Sequence, residues 1–510
     1  MTGHNSQHIG SLDNLYGSLA PGQFYRRDGA RLRGQTDPSL LKVSSQNAEF
    51  HEIYHLFDKA HVVMLARNGV ISDEVAASLL LGLKEMEGEN HIKIRQESGY
   101  GCHAGEAFLI DNLGEEIGGW IHIGRSTRDL REVGKRVVAR NHILSLIEKC
   151  LDLCETYTHR AEEYNNAVMP TYTRVQHAQV STFGFHLLSL ERPIERDIQR
   201  LWNLYASVNE SPAGAAAGTA TDFSIDRSQT ATLLGFETIA DNATDVDKSS
   251  DIHLEGNFVP VILLHNIATA TDQFLLWSSE EFGLVEIPDE FCGTSSIMPQ
   301  KKNPLGLIKI KNHVKNAVGE TMSQLVDSRS FGGRGNIAVP VFDAAFESVE
   351  IFNKILLKTT FDRERGEQLV TEDWALATDL TSLLVREAEI PWRSAHQIVA
   401  ILCRQCIEEN RTITDVQVQT IVEIAEEYLE CDFEISEDGV EDVLSPTRAI
   451  RARKNVIGSP AKNQIADQIR STEKFMLKQH NRLTSEKERL ESAQKQLEEE
   501  IQDIISTADQ

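Results

Sequence analysis

Residues 128–166 contain no proline and a single glycine, Gly134, while apolar side chains recur at Leu130, Val133, Val137, Leu144, Ile147, Leu151 and Cys154. Steps of three and four predict one continuous helix, and at 1.5 Å per residue it extends on the order of 60 Å. Such a helix is not built to cover one small core; it stacks in an extended bundle, often one shared between subunits. The same periodicity returns over 182–208, 254–277, 302–326 and 342–361. With only 13 prolines in 510 residues, the chain is expected to be all-α, with few and peripheral strands.

Punctuation divides the chain further. Residues 45–90 give two helical stretches, the second opened by Ser72-Asp73-Glu74, a capping residue followed by acids that suit the helix dipole. Ser445-Pro446 and Gly458-Ser459-Pro460 close a later helical unit. The expected organisation is an N-terminal helical domain with an extended arm (1–115), a central bundle (116–373), a C-terminal helical domain (374–461) and a helical tail (462–510). In the tail Leu483, Leu490 and Leu497 stand seven apart, the spacing of a coiled-coil arm.

Acidic side chains outnumber basic ones 77 to 51, a formal charge of −26, which repels nucleic acid but leaves room for an anionic small molecule wherever arginines cluster. No apolar stretch is read as long enough to span a membrane, and the first eight residues lack a basic run and an apolar core, so a cytoplasmic protein is expected. Cys150/Cys154 and Cys403/Cys406 fall at helical spacings without histidines and are read as buried thiols rather than metal ligands; no metal is expected.

The segment with chemistry in it is Gly293-Thr294-Ser295-Ser296-Ile297-Met298-Pro299-Gln300-Lys301-Lys302-Asn303-Pro304. Its prolines and small residues keep the backbone out of helix while donors crowd together. A serine becomes a useful base when an ammonium and backbone N–H groups stabilise its alkoxide, and the same donors would stabilise charge building on a substrate carboxylate. That combination suits proton abstraction next to a carboxylate.

This run closely resembles the catalytic loop of the fumarase/aspartase superfamily, and the chain is most similar to its argininosuccinate lyase branch. His122-Ile123-Gly124-Arg125-Ser126-Thr127-Arg128-Asp129 resembles the first family signature, HTGRSRND, and Tyr172-Thr173-Arg174-Val175-Gln176 the second. Trp277 to Gly283, Ala377-Thr378-Asp379-Leu380 and Ser445-Pro446-Thr447 extend the likeness over residues 45–460. The resemblance implies a three-domain fold with a central five-helix bundle, assembling into a homotetramer with a twenty-helix core and active sites shared between subunits. It implies cleavage of a succinyl compound to fumarate by anti-elimination, without metal or organic cofactor. Carried over, Ser295 in the loop 290–304 is the base, Lys301 and Asn303 stabilise the aci-carboxylate, Ser126 and Thr173 hold carboxylates, and Gln176 supports that site.

Three departures change what is expected of the substrate. Arg174 stands where the family has histidine, and a guanidinium binds anions but does not donate a proton at neutral pH. Thr127-Arg128 replaces Arg-Asn, adding a cation that, with Arg125 and Arg174, suits a more anionic ligand. The Tyr, Gln and Lys that grip the argininyl end are missing from Ser330 to Pro340. The reading is a C–N lyase that releases fumarate and an amine other than arginine, or runs in reverse. A cycloisomerase acting on a polycarboxylate and a non-catalytic structural relative stay open beside it.

Overall fold

The computed structural model describes residues 48–98, 100–329 and 335–508. The expected N-terminal arm lies outside the described residues. The helices α1 (Ala48–Arg67), α2 (Asp73–Gly88) and α3 (Ala104–Leu113) come first, with shorter helical segments at His91–Glu97 and Glu115–Gly118. Ser72 caps α2 by accepting a hydrogen bond from the Val75 N–H. Then α4 (Thr127–Glu163) runs for 37 residues. Its start is fixed by a capping box: Ser126 Oγ accepts from the Arg128 N–H (3.0 Å), and the Asp129 carboxylate accepts from the Ser126 N–H (2.7 Å).

The strands β1 (Val168–Thr173) and β2 (Gln176–Thr182) form an antiparallel hairpin beyond the end of α4. The bundle continues with α5 (Phe183–Val208), α6 (Asp251–Trp277), α7 (Leu305–Arg329) and α8 (Val339–Lys358). These five helices alternate in direction and share one core, built on Ile147, Leu151, Trp202, Phe274, Phe342 and Phe352. A separate core joins α9 (Ala377–Glu387), α10 (Trp392–Glu408) and α11 (Val418–Leu429) around Leu384, Leu402 and Ile421. The all-α expectation holds, with the strands confined to short two-stranded pairings.

Two expectations need correction. The tail is a single helix, α12 (Lys462–Ala508), but it is not a free arm. Ile465, Ile469, Thr472, Met476, Gln479 and Leu483, then Ala493, Leu497, Ile501 and Ile504, are buried along one stripe. The stripe lies against α4 and α5 in its first half and against α2 and the start of α4 in its second. Positions alternating by four and three residues look sparse beside a full amphipathic face, yet they suffice for a helix lying in a groove. Tyr205 donates to Glu486 at 2.9 Å and Arg67 to Glu500 at 2.6 Å, fixing the register. The second correction is that α6 is long and apolar enough to cross a membrane by length and composition, although half of that window is buried inside the protein.

One buried group couples the tail to the bundle. Glu191 on α5 is fully buried; its Oε1 has no hydrogen-bond partner among the described residues, and its Oε2 is approached by the Thr472 hydroxyl of α12 at 3.5 Å and by Arg192 Nε at 3.6 Å. Burial and the nearby Glu195 carboxylate push its pKa from the ordinary 4.5 up to about 8. The folded state therefore keeps a proton that the unfolded chain releases above pH 4.5. The stabilisation is complete below the unfolded pKa and is lost as the pH rises through about 8. Glu191→Gln mimics the neutral form, so its melting temperature should exceed that of the wild type at pH 8 and match it at pH 4.5. Equal melting temperatures at both values would refute a neutral Glu191.

Candidate active site

The expected site residues separate into two groups at opposite ends of the bundle. At the N-terminal end of α4, Ser126 Oγ also donates to the Ala216 carbonyl at 2.8 Å, and the Ala216 N–H donates to Asp129 at 3.1 Å. The loop around Ala216 is thereby drawn onto the helix start, where free N–H groups and the dipole favour a carboxylate.

Two arginines expected here as substrate ligands are turned elsewhere. Arg125 is buried and donates to Asp58 Oδ1 at 2.8 Å, while Arg95 takes Asp58 Oδ2 at 2.5 Å. Burial alone would raise the Asp58 pKa, but the two guanidiniums overcome it and hold the carboxyl below its ordinary range. Arg128 pairs with Glu132 at 3.3 Å and Asp247 at 3.0 Å; Glu132 also meets Lys135 at 3.1 Å and His253 at 3.0 Å. The expected cluster of three free arginines is therefore not formed.

At the opposite end, Thr173, Arg174 and Gln176 are exposed on the tip of the β1–β2 hairpin. Arg174 and Val175 both adopt left-handed backbone conformations, at φ 54° and 63°. Such a tight turn favours glycine and asparagine, and a β-branched residue there carries strain on the order of 1–2 kcal/mol. Strain of this kind persists where the surroundings, or a function, demand the geometry. The Gln176 side chain donates to the Val175 carbonyl, at 3.3 Å. His177, three residues beyond Arg174, is held in the hairpin stem by Asp373 at 2.6 Å.

The loop 290–304 lies at this same end. Its stem is a short antiparallel pair, β3 (Gly293–Thr294) with β4 (Lys302–Asn303). Within the turn, Ser295 Oγ accepts hydrogen bonds from the N–H groups of Ile297 (3.3 Å) and Met298 (3.1 Å). These two donors would stabilise an alkoxide at that oxygen. The adjacent lysines separate in role. Lys302 is tied to Asp289 at 2.6 Å and Glu286 at 3.1 Å, whereas Lys301 is exposed and makes no ion pair among the described residues. Ile297 and Met298 at the tip are exposed, as are Leu305 and Ile308 at the start of α7 and Val318, Met322 and Val326 in its second half, with exposed Asn312 and Lys315 between the two patches.

The two groups cannot meet within one chain. A helix of 37 residues is about 55 Å long, and the ten residues from its end to Thr173 reach back at most about 35 Å, leaving a gap of at least about 20 Å. The hairpin in fact points away, with Tyr172 packed on Phe282 and His177 on Asp373.

Residues 32–319 match a family model described as a lyase, and residues 374–451 match one described as the argininosuccinate lyase C-terminal region. An argininosuccinate lyase of Methanocaldococcus jannaschii is 32% identical over 90% of this chain and 93% of its own length. A double variant of EDDS lyase solved with bound fumarate superposes with a TM-score of 0.86 at 28% identity, covering 93% of this chain and 95% of that one. EDDS lyase in complex with formate gives 0.84 at 27% identity, covering 93% and 99%. The chain therefore belongs to the fumarase/aspartase superfamily and is a lyase. Within that superfamily it is like the argininosuccinate lyases.

The Asp58 pairing gives a direct test of why Arg125 is unavailable to substrate. Asp58→Ala leaves two buried guanidiniums without a counter-charge and should cost about 3–5 kcal/mol of stability in urea unfolding. A variant with wild-type stability would show that Arg125 is not committed there.

Proposed function

We propose that this chain is a C–N lyase that splits an N-succinyl compound into fumarate and an amine other than arginine, or adds that amine to fumarate. The observation that carries the reading is the position of Ser295 Oγ under two backbone N–H groups, in a loop that also presents an exposed Lys301 with no ion pair among the described residues. Ser295 as the alkoxide removes the Cβ proton, and Lys301 with Asn303 stabilises the dianionic aci-carboxylate that results. Ser126 at the mouth of α4 and Thr173 on the hairpin hold the carboxylates, and Gln176 supports Thr173. Arg174 binds an anion and leaves protonation of the departing amine to another group.

Arg125 and Arg128 drop out of the proposal as direct ligands, since both are consumed by acids of the same chain. The site is completed by association: the exposed apolar patches of α7 fit a homotetramer in which Ser126 from one subunit meets Thr173 and Ser295 from others. The absence of the Tyr, Gln and Lys expected for an argininyl end supports an amine other than arginine. Of that stretch, residues 330–334 lie outside the described residues.

The test is consumption of fumarate in the presence of a panel of amines that includes amino acids, hydroxylamines and hydrazines, followed by its ultraviolet absorbance. At least one amine should consume fumarate, and Ser295→Ala should lower that rate by about 10²–10⁴-fold. If no amine consumes fumarate, the reading fails; if Ser295→Ala keeps its full rate, the base is misassigned. Arg174→His should shift amine preference, whereas an unchanged profile would remove Arg174 from the site.

A further inference from the structure

Beside the start of α4, three ligand-type atoms converge. His103 closes the turn Gly101–His103, Glu106 lies in the first turn of α3, and His122 ends the turn Gly119–His122. Glu106 Oε2 is 3.1 Å from His103 Nδ1 and 3.1 Å from His122 Nδ1, and all three ligand atoms lie within 4.8 Å of one another. His103 and Glu106 are buried, whereas His122 keeps about a third of its side chain exposed.

We propose that His103, Glu106 and His122 bind one divalent transition-metal ion of borderline hardness, the class that includes zinc and cobalt. Two imidazoles and one carboxylate are a ligand set suited to that class. Ligands about 2.0–2.2 Å from a metal, at angles between square and tetrahedral, stand roughly 2.9–3.4 Å apart. The two 3.1 Å separations fall inside that window. Both nitrogens facing the carboxylate are Nδ1 atoms, so one ion between them would replace two protons otherwise directed at a single oxygen.

The surroundings supply the usual support. His103 Nε2 lies 2.7 Å from Thr127 Oγ1, so with Nδ1 on the metal the remaining N–H donates to that hydroxyl and fixes the ring. Three ligands leave a coordination position open, and the exposed edge of His122 places it toward solvent. A single carboxylate leaves a bound divalent ion with a net positive charge, so the open position favours an anion. The ion would also clamp two turns and α3 onto the first residue of α4, next to Ser126.

The experiment uses the full chain, stripped with a chelator and titrated with cobalt(II) without substrate. Its outcome is therefore independent of whether the lyase reading succeeds. Expected are saturable binding of one cobalt per chain, ligand-field absorption in the visible, and displacement by zinc. Glu106→Gln and His122→Gln should each weaken binding by at least about tenfold. His122→Gln changes a partly exposed side chain, and an unchanged far-ultraviolet circular dichroism spectrum verifies its fold. No saturable binding by the wild type overturns the proposal, as does binding of wild-type strength in both variants.

Discussion

Thirty-seven consecutive residues in one helix, capped at Ser126 by Asp129 and turned at Tyr164 into the β1–β2 hairpin, hold the two groups of candidate site residues apart. A hydrogen-bonded rod of this length does not fold back on itself, so Ser126 and Thr173 can serve one substrate only if they come from different chains. The exposed apolar patches on α7 are in keeping with such an association. A face that would be a liability on a solitary chain is what brings the ends of neighbouring bundles together in the proposed tetramer.

Electrostatics within the chain then narrows the choice of residues. A protein of net charge −26 has many carboxylates with which to occupy its cations. Asp58 takes Arg125, Glu132 and Asp247 take Arg128, and Glu286 with Asp289 takes Lys302. Buried or chelated cations of this kind organise the scaffold and are not available for recognition. Lys301 and Arg174 remain exposed, one beside Ser295 and the other on a strained turn. This sharpens the expected substrate: its anionic groups meet few cations, placed on loops, together with the hydroxyl of Thr173 and the N-terminal end of α4 at Ser126.

The long helices were legible in the sequence because their signal is local: apolar steps of three and four without proline place α4 to within a few residues. The loop 290–304 was legible for a different reason, a run of small, cationic and proline residues that fits little besides a donor-rich turn. What could not be read depends on contacts distant in sequence. Arg125 meets an acid 67 residues away, and nothing in its own signature announces the pairing. The tail showed its heptad spacing but not its partner, because a stripe of that period fits a second chain or a groove in its own bundle equally well. His103 and Glu106 passed unnoticed, and His122 was read only as part of a family signature, because their spacing is irregular and only the packing of two turns against α3 brings the three together.

The most direct measurement is a crystal structure of the assembled protein grown with fumarate. The expected density places fumarate with Ser126 of one subunit at one carboxylate, and with Thr173 and the Ser295 loop of other subunits within hydrogen-bond distance of the same molecule. Fumarate held by a single chain, or bound away from Ser295, would contradict a site assembled from the opposite ends of neighbouring bundles.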